Sequence, residues 1–479
     1  MTRRTKIVAT IGPASESTEV LTGLATAGMD MARLSLSHGP LDETLERVKR
    51  VREVAKKTKR YIGVMADLPG PKIRAAEFPD GGSRLVIDSM VELAPARSGD
   101  SSTETRIAVD HEPLLDEIVA GDRISLGDGG IQLEVEDVDG KRAQARVLTG
   151  GLAQGRPGVS FPPGRSSLSS PTTADLRLLE ALVDAGVEAV AISFVRSARD
   201  MEAARAVRSD TMLIAKIETP EAVSMLPEII SASDGVMVAR GDLGLRCALE
   251  DVPHHQKRII RTGVAFGRPV ITATQMLESM ISAPTPTRAE VTDIANAVFD
   301  GTSALMLSAE TAIGHHPVLA VETMARVAER AEREFDYQGW GHALGRLQTV
   351  EASKAPVEIR ITAAVSAAAW RAAVDADVAA IIACTYNGAT ARAISRFRPK
   401  VPVIAATPSE RTAHQLSVAW GVTPMVTDIH GTTDDIVWFA VQKAVEAAII
   451  RPGDLVAVLV GSPQDTDPTT DTLRLVRVR

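Results

Sequence analysis

Short β-branched runs alternating with longer amphipathic stretches limit the folds open to this chain more than any other feature. Strand-like runs fall at residues 6–11, 31–36, 61–66, 188–193, 212–217, 235–239, 269–273 and 304–307. Helix-like stretches such as 18–27, 41–57 and 174–185 separate nearly all of them, and 317–334 follows the last. Eight parallel strands with intervening helices is the number that closes a (β/α)8 TIM barrel. An open doubly wound sheet has the same periodicity. The number eight, and the polar residues at several strand ends, favour the barrel.

The rhythm breaks twice. Residues 73–161 carry no convincing helix but alternating runs at 84–87, 105–109, 123–126, 131–135 and 143–147, divided by turn signals such as Asp80-Gly81-Gly82 and Asp139-Gly140. This interval reads as a small β-barrel lid domain inserted in a loop of the larger barrel. Pro71, Pro157, Pro162 and Pro163 stiffen its two ends, and a domain hung over the strand ends can exclude water. From about residue 354 a second alternation begins, with strands expected at 378–383, 401–405, 422–426, 455–460 and 473–478 and helices at 361–374, 391–396, 411–418 and 434–447. The expected plan is therefore a catalytic barrel over 1–72 and 162–340, a lid over 73–161 and an α/β sheet domain over 354–479, with 337–356 as linker. A chain of 479 residues is too long for one ordinary core, which agrees with this division.

Composition removes several classes of function. Aromatics make up only 3% of residues, so the cores must be built from Ala, Val, Leu and Ile. A net charge of −8 argues against general attraction to nucleic acid or to an anionic membrane surface. Cys247 and Cys384 match neither a disulfide framework nor a zinc knuckle. The basic start lacks the apolar stretch of a secretion signal, and no charge-free run is long enough to cross a bilayer, so a cytoplasmic location is expected.

In a barrel the chemistry sits at the C-terminal strand ends. Those ends read Arg33, Ser35 and Ser37, then Asp67, Lys216 with Glu218, Arg240 with Asp242, Thr274, and Ser308 with Glu310. Paired carboxylates on adjacent ends suit a hard cation such as magnesium, which keeps positions for substrate oxygens. Lys216 and Arg33 supply the positive charge a transferring phosphoryl group requires. A lone Lys-x-Glu is usually a surface ion pair and a lone Asp-Leu-Gly usually a turn; their joint placement favours a site.

These residues lie within longer motifs. Lys216-Ile217-Glu218, the run from Met237 to Gly244 containing Ala239-Arg240-Gly241-Asp242, and the run from Ala273 to Met280 resemble the pyruvate kinase family, in its bacterial form. So do Thr5 to Ser15, Ala32-Arg33-Leu34 with Ser37-His38-Gly39, and Pro284 to Glu290. The resemblance implies transfer of the phosphoryl group of phosphoenolpyruvate to ADP, giving pyruvate and ATP in glycolysis. It implies magnesium (or manganese) on Glu218 and Asp242, and substrate carboxylate on the Gly241 and Asp242 amides and the Thr274 hydroxyl. Lys216 and Arg33 would hold the phosphoryl group, Arg74, His38, Ser35 and Arg156 the nucleotide, and Thr274 and Ser308 would relay a proton. A homotetramer with effector coupling is implied as well.

Departures from the family pattern carry information. Many members hold potassium with Asn, Ser, Asp and a Thr carbonyl; the matching positions here are Ser35, Ser37, Asp67 and Leu68. Potassium-dependent members also carry Glu where Gly70-Pro71-Lys72-Ile73-Arg74 has Lys72, whose ammonium can supply the missing charge internally. The expectation is an enzyme that works without potassium; a surface role for Lys72 is the alternative. In the C-terminal domain, Thr385, Asn387, Gly388 and Thr390 lie in a strand-to-helix loop that in relatives cradles an effector phosphate. A plain turn with a helix cap explains the same residues. Acidic residues at Asp465, Asp467 and Asp471 disfavour a bisphosphate, so a monophosphorylated effector is expected. A metal-dependent aldolase and a catalytically dead phosphate sensor remain open as other classes.

Overall fold

The computed structural model describes residues 3–37, 39–127, 129–162, 168–351, 357–461 and 469–479. Pro163, His38, Asp465 and Asp467 thus lie outside the described residues.

Eight parallel strands close into a barrel: Lys6–Thr10, Met31–Ser35, Gly63–Asp67, Ala189–Ile192, Met212–Ile217, Gly235–Ala239, Val270–Ala273 and Ala304–Leu307, the first pairing with both the second and the eighth. They are called the first to eighth barrel strands below. Alternate residues point inward, and with so few aromatics the interior is filled by Met31, Met65, Met212, Met237 and Met306 among smaller side chains. The opposite faces pack on the surrounding helices in one continuous core. Several of these helices begin on side-chain caps that serve their unpaired amides: Ser17, Thr172 and Thr287 each accept from a first-turn N–H, the last two in capping boxes.

The insertion forms a six-stranded sheet and a two-stranded sheet over one shared core. Arg74 bridges to Gly158 and Ala75 to Val109, at opposite edges of the larger sheet, so the entering chain links its two edges. Sequence patterning missed the strands Met90–Pro95, Gly151–Ala153 and Val159–Ser160 and the one-turn helix Leu114–Glu117. The turn before Met90 carries no Gly or Pro. It is made by Asp88 at φ 65° and closed by Ser89 N–H donating to the Val86 carbonyl at 3.1 Å.

The C-terminal domain is a five-stranded sheet in the order Val422–Val426, Val403–Thr407, Ala380–Cys384, Leu455–Val460, Thr472–Arg477, the last strand antiparallel. Its turn Leu416–Val418 caps the bottom of the barrel: Val418 joins the barrel interior, and Ser417 Oγ accepts from Gly63 N–H at 3.2 Å. A Cβ at Gly63 would come within 2.6 Å of the His414 carbonyl, so this approach requires glycine. The expected linker is not an extended tether. Residues Tyr337–Glu351 form an α-helix, anchored by Trp340 Nε1 donating to the Arg396 carbonyl at 2.9 Å and by Leu344 in the C-terminal core. Among the described residues no helix is long and apolar enough to cross a membrane.

Candidate active site

The parallel barrel brings polar strand-end residues from distant parts of the chain onto one rim. At its centre is Lys216, at the end of the fifth strand. Its Nζ donates to Ser193 Oγ at 2.7 Å and lies 2.8 Å from Glu218 Oε1 and 3.2 Å from Asp67 Oδ1. Burial disfavours the ammonium, but the Asp67, Glu218 and Asp242 carboxylates outweigh it and hold its pKa above the ordinary lysine value. Lys216 is therefore a fixed cation rather than a base. Asp67, at the end of the third strand, is tied on its other oxygen to Arg33, with Nε at 2.8 Å and Nη2 at 2.7 Å. Burial works against this carboxylate too; Lys216 and Arg33 overcome it and keep the pKa below the usual range. Arg33 is steadied further by Thr10 Oγ1 at 3.0 Å.

Glu218 is the strained member. It is fully buried, and burial, reinforced by the Asp242 charge and opposed by Lys216, pushes its carboxyl up to about 7. Oε2 accepts from the Phe194 N–H at 2.7 Å. Oε1 lies 2.8 Å from the Lys216 ammonium and, among the described residues, meets no other donor. A buried carboxylate oxygen left this way is where a cation fits.

A cavity of about 680 Å³ lies between barrel and lid, lined by Phe194, Gly241, Asp242, Thr274 and Ser308 on the barrel side and by Lys72, Arg74 and Arg156 on the lid side. Lys216, Glu218, Asp67 and Arg33 are not part of its lining, and Phe194 connects the two. Gly241 and Asp242 lie in the short helix Arg240–Gly244 that leaves the sixth strand. Gly241 N–H donates to Thr274 Oγ1 at 2.9 Å. Thr274 and Gln275 have φ of 71° and 54°, a conformation that costs a β-branched residue about 1–3 kcal/mol. Arg240 holds this turn, donating to the Thr274 carbonyl at 2.6 Å and the Ala273 carbonyl at 3.2 Å while pairing with Asp293 at 2.7 Å. Ser308 is fixed through its N–H, which donates to the buried Glu310 at 2.6 Å.

The structure does not bring every expected residue to the cluster. Ser35 is opposite Asp67 in strand register and Ser37 follows it, both half-buried; the Leu68 carbonyl accepts from Ser193 Oγ at 2.7 Å. Lys72 is exposed on the cavity wall, and among the described residues it forms no ion pair, whereas Asp67 is already neutralised by Arg33 and Lys216. Arg74 donates to the Arg156 carbonyl at 3.1 Å, and Arg156 pairs with Asp110 at 3.0 Å. Thr385, Asn387 and Thr390 line a second cavity of about 570 Å³ in the C-terminal domain. There Thr385 Oγ1 accepts from Gly388 N–H at 2.9 Å, Asn387 Oδ1 from Ala389 N–H at 3.0 Å, and Thr390 Oγ1 pairs with Thr470 Oγ1 at 2.7 Å. Sequence reasoning missed Thr10, Ser193 and Phe194. Ser193 carried the same signal as the others, a polar residue directly after an apolar strand.

The fold is a closed (β/α)8 barrel with an inserted β domain and a C-terminal α/β domain, and it carries a cluster of paired charges at its strand ends. Residues 2–321 match the family model described as pyruvate kinase, barrel domain, and residues 363–476 that described as pyruvate kinase, alpha/beta domain. The chain is 39% identical to a pyruvate kinase of Bacillus licheniformis over 474 residues, 98% of this chain and 79% of that protein. It is 40% identical to one from Methylorubrum extorquens, covering 99% of this chain and 98% of that protein, and 37% identical to one from Clostridium acetobutylicum, covering 99% of each. The chain belongs to the pyruvate kinase family.

Proposed function

We propose that this chain transfers the phosphoryl group of phosphoenolpyruvate to ADP, giving pyruvate and ATP. The observation that carries the reading is Lys216, a part-buried ammonium held between Asp67 and Glu218 on the same strand-end rim whose Gly241, Asp242 and Thr274 line the cavity. The catalytic unit is drawn as residues 1–72 and 162–340, the lid as 73–161 and the regulatory unit as 354–479.

Glu218 and Asp242 are the residues to hold a divalent cation. Among the described residues no cluster of three or more His, Cys, Asp or Glu side chains offers a metal site. Two carboxylates, one with an oxygen that meets only the Lys216 ammonium among the described residues, suit magnesium, which takes one or two carboxylates and fills its other positions with water and substrate oxygens; manganese shares these ligands. Such an ion supplies Lewis-acid neutralisation of charge on the substrate oxygens.

The chain's own groups do the rest. Gly241 and Asp242 amides with the Thr274 hydroxyl receive the substrate carboxylate, which takes the place of the bond between Gly241 N–H and Thr274 Oγ1, and Arg33 and Lys216 meet the phosphoryl oxygens. Arg74 and Arg156 on the lid, with Ser35 and His38, place the nucleotide. A β-phosphate oxygen of ADP attacks phosphorus, the bond from phosphorus to the enol oxygen breaks, and its electron pair stays on the enolate. Lys216 stabilises that oxygen. Thr274 and Ser308, both on the cavity wall, pass a proton to the methylene carbon. Fixed charges facing a loose transition state supply nearly all of the acceleration.

Potassium is not needed in this reading. Asp67 is satisfied by Arg33 and Lys216, and Lys72 adds positive charge to the cavity wall. Replacing potassium by tetramethylammonium should leave turnover within about twofold; a loss of tenfold or more, about 1.4 kcal/mol on the barrier, would contradict it. Thr385, Asn387, Gly388 and Thr390 would bind the single phosphate of an effector. A screen in which fructose 1,6-bisphosphate is the strongest activator would overturn that. The enzyme is read as a cytoplasmic homotetramer, which light scattering showing a monomer under assay conditions would exclude.

A further inference from the structure

We propose that Arg246 is a positioning residue that holds Glu218 and Asp242 in register for the metal, acting through Phe194. The inference rests on the reading of those two carboxylates as the metal ligands. The Phe194 N–H donates to Glu218 Oε2 at 2.7 Å, so the placement of this one backbone amide orients the buried carboxylate. Phe194 has φ 56°, a region that bulky side chains adopt only when their surroundings impose it.

Two neighbours do so. A Cβ at Gly70 would lie 2.9 Å from Phe194 Cδ2, so backbone presses on one side of the ring. On its face lies the Arg246 guanidinium, 5.1 Å from the ring centroid, within cation–π range. Arg246 stands four residues after Asp242, and its N–H donates to the Leu243 carbonyl at 3.0 Å. The contact therefore ties the turn that fixes Glu218 to the turn that carries Asp242, across two different strand ends. Arg246 Nε is buried and among the described residues has no hydrogen-bond acceptor, so an ion pair with them through that atom does not explain the residue's place in the cavity wall.

The test is calorimetric titration of the metal-free full-length enzyme with Mn²⁺, without substrates, alongside steady-state kinetics. Arg246→Ala should weaken Mn²⁺ binding about tenfold, the scale of a lost outer-shell partner, and raise the metal concentration for half-maximal rate equally while the KM for ADP holds. Arg246→Lys, which keeps a cation for the ring, should recover most of the loss. In a Phe194→Leu background Arg246→Ala should add nothing, because the two act as one unit. Unchanged Mn²⁺ affinity in Arg246→Ala with a raised KM for ADP would assign Arg246 to the nucleotide and overturn the inference, as would additive losses in the double variant. A Glu218→Gln arm separates the layers. If it binds Mn²⁺ as wild type does, the metal assignment itself fails; if it is weakened and Arg246→Ala is not, only the role of Arg246 fails. Should Arg246→Ala not fold, the lysine and leucine variants carry the same comparison.

Discussion

Lys216→Met is expected to lower turnover by at least about 10²-fold, the loss typical of one preorganised charge-stabilising donor. Its ammonium is the cation shared by Asp67 and Glu218, and among the described residues no second donor reaches Glu218 Oε1. Charge on the phosphoryl group and enolate peaks in the transition state, so the loss should fall on kcat more than on the KM for phosphoenolpyruvate. Lys216→Arg should not rescue it: a planar fork replaces a point charge in a site shaped by three nearby carboxylates. Asp67 keeps Arg33 as partner, so the variant retains its fold, and circular dichroism checks this. Steady-state kinetics showing near-normal kcat would remove Lys216 from the mechanism.

Glu218→Gln should abolish metal-dependent turnover yet stabilise the metal-free protein at neutral and alkaline pH. The cluster holds Lys216 and Arg33 against Asp67, Glu218 and Asp242, so removing one carboxylate balances it. Burial raises the Glu218 carboxyl from 4.5 to about 7 in the folded state. The native protein then binds more protons than the unfolded chain between those values, and its stability falls as pH rises from 4.5 through 7. Each unit corresponds to about 1.4 kcal/mol, so ionising Glu218 costs roughly 3 kcal/mol above pH 7. Urea unfolding of both metal-free proteins should give similar stabilities near pH 5 and a gap favouring Glu218→Gln at pH 8. A variant less stable than wild type at pH 8 would mean that Glu218 is retained for packing rather than for a cation.

The barrel was legible because strands buried on both faces leave unbroken apolar runs and a closed parallel barrel leaves their ends polar. Asp67 and Lys216 could be read as site residues, but their contact could not: they lie on the third and fifth strands, and side-chain reach across the intervening strand is not written in spacing. The helix Tyr337–Glu351 was hidden by glycines that mark close packing rather than a break. A Cβ at Gly341 would collide with the Trp370 ring. Ser193 and Phe194 escaped because one works through a hydroxyl shared with Lys216 and the other through its backbone amide, which any residue type supplies.

Phosphoryl transfer at the Lys216, Glu218 and Asp242 site is tested by pyruvate formation from phosphoenolpyruvate with the purified enzyme, ADP and magnesium each being supplied or withheld. Pyruvate and ATP should form in equal amounts, only when both are present, and at least about 10²-fold slower in Lys216→Met. Pyruvate released without ADP, or at the wild-type rate in that variant, would contradict it.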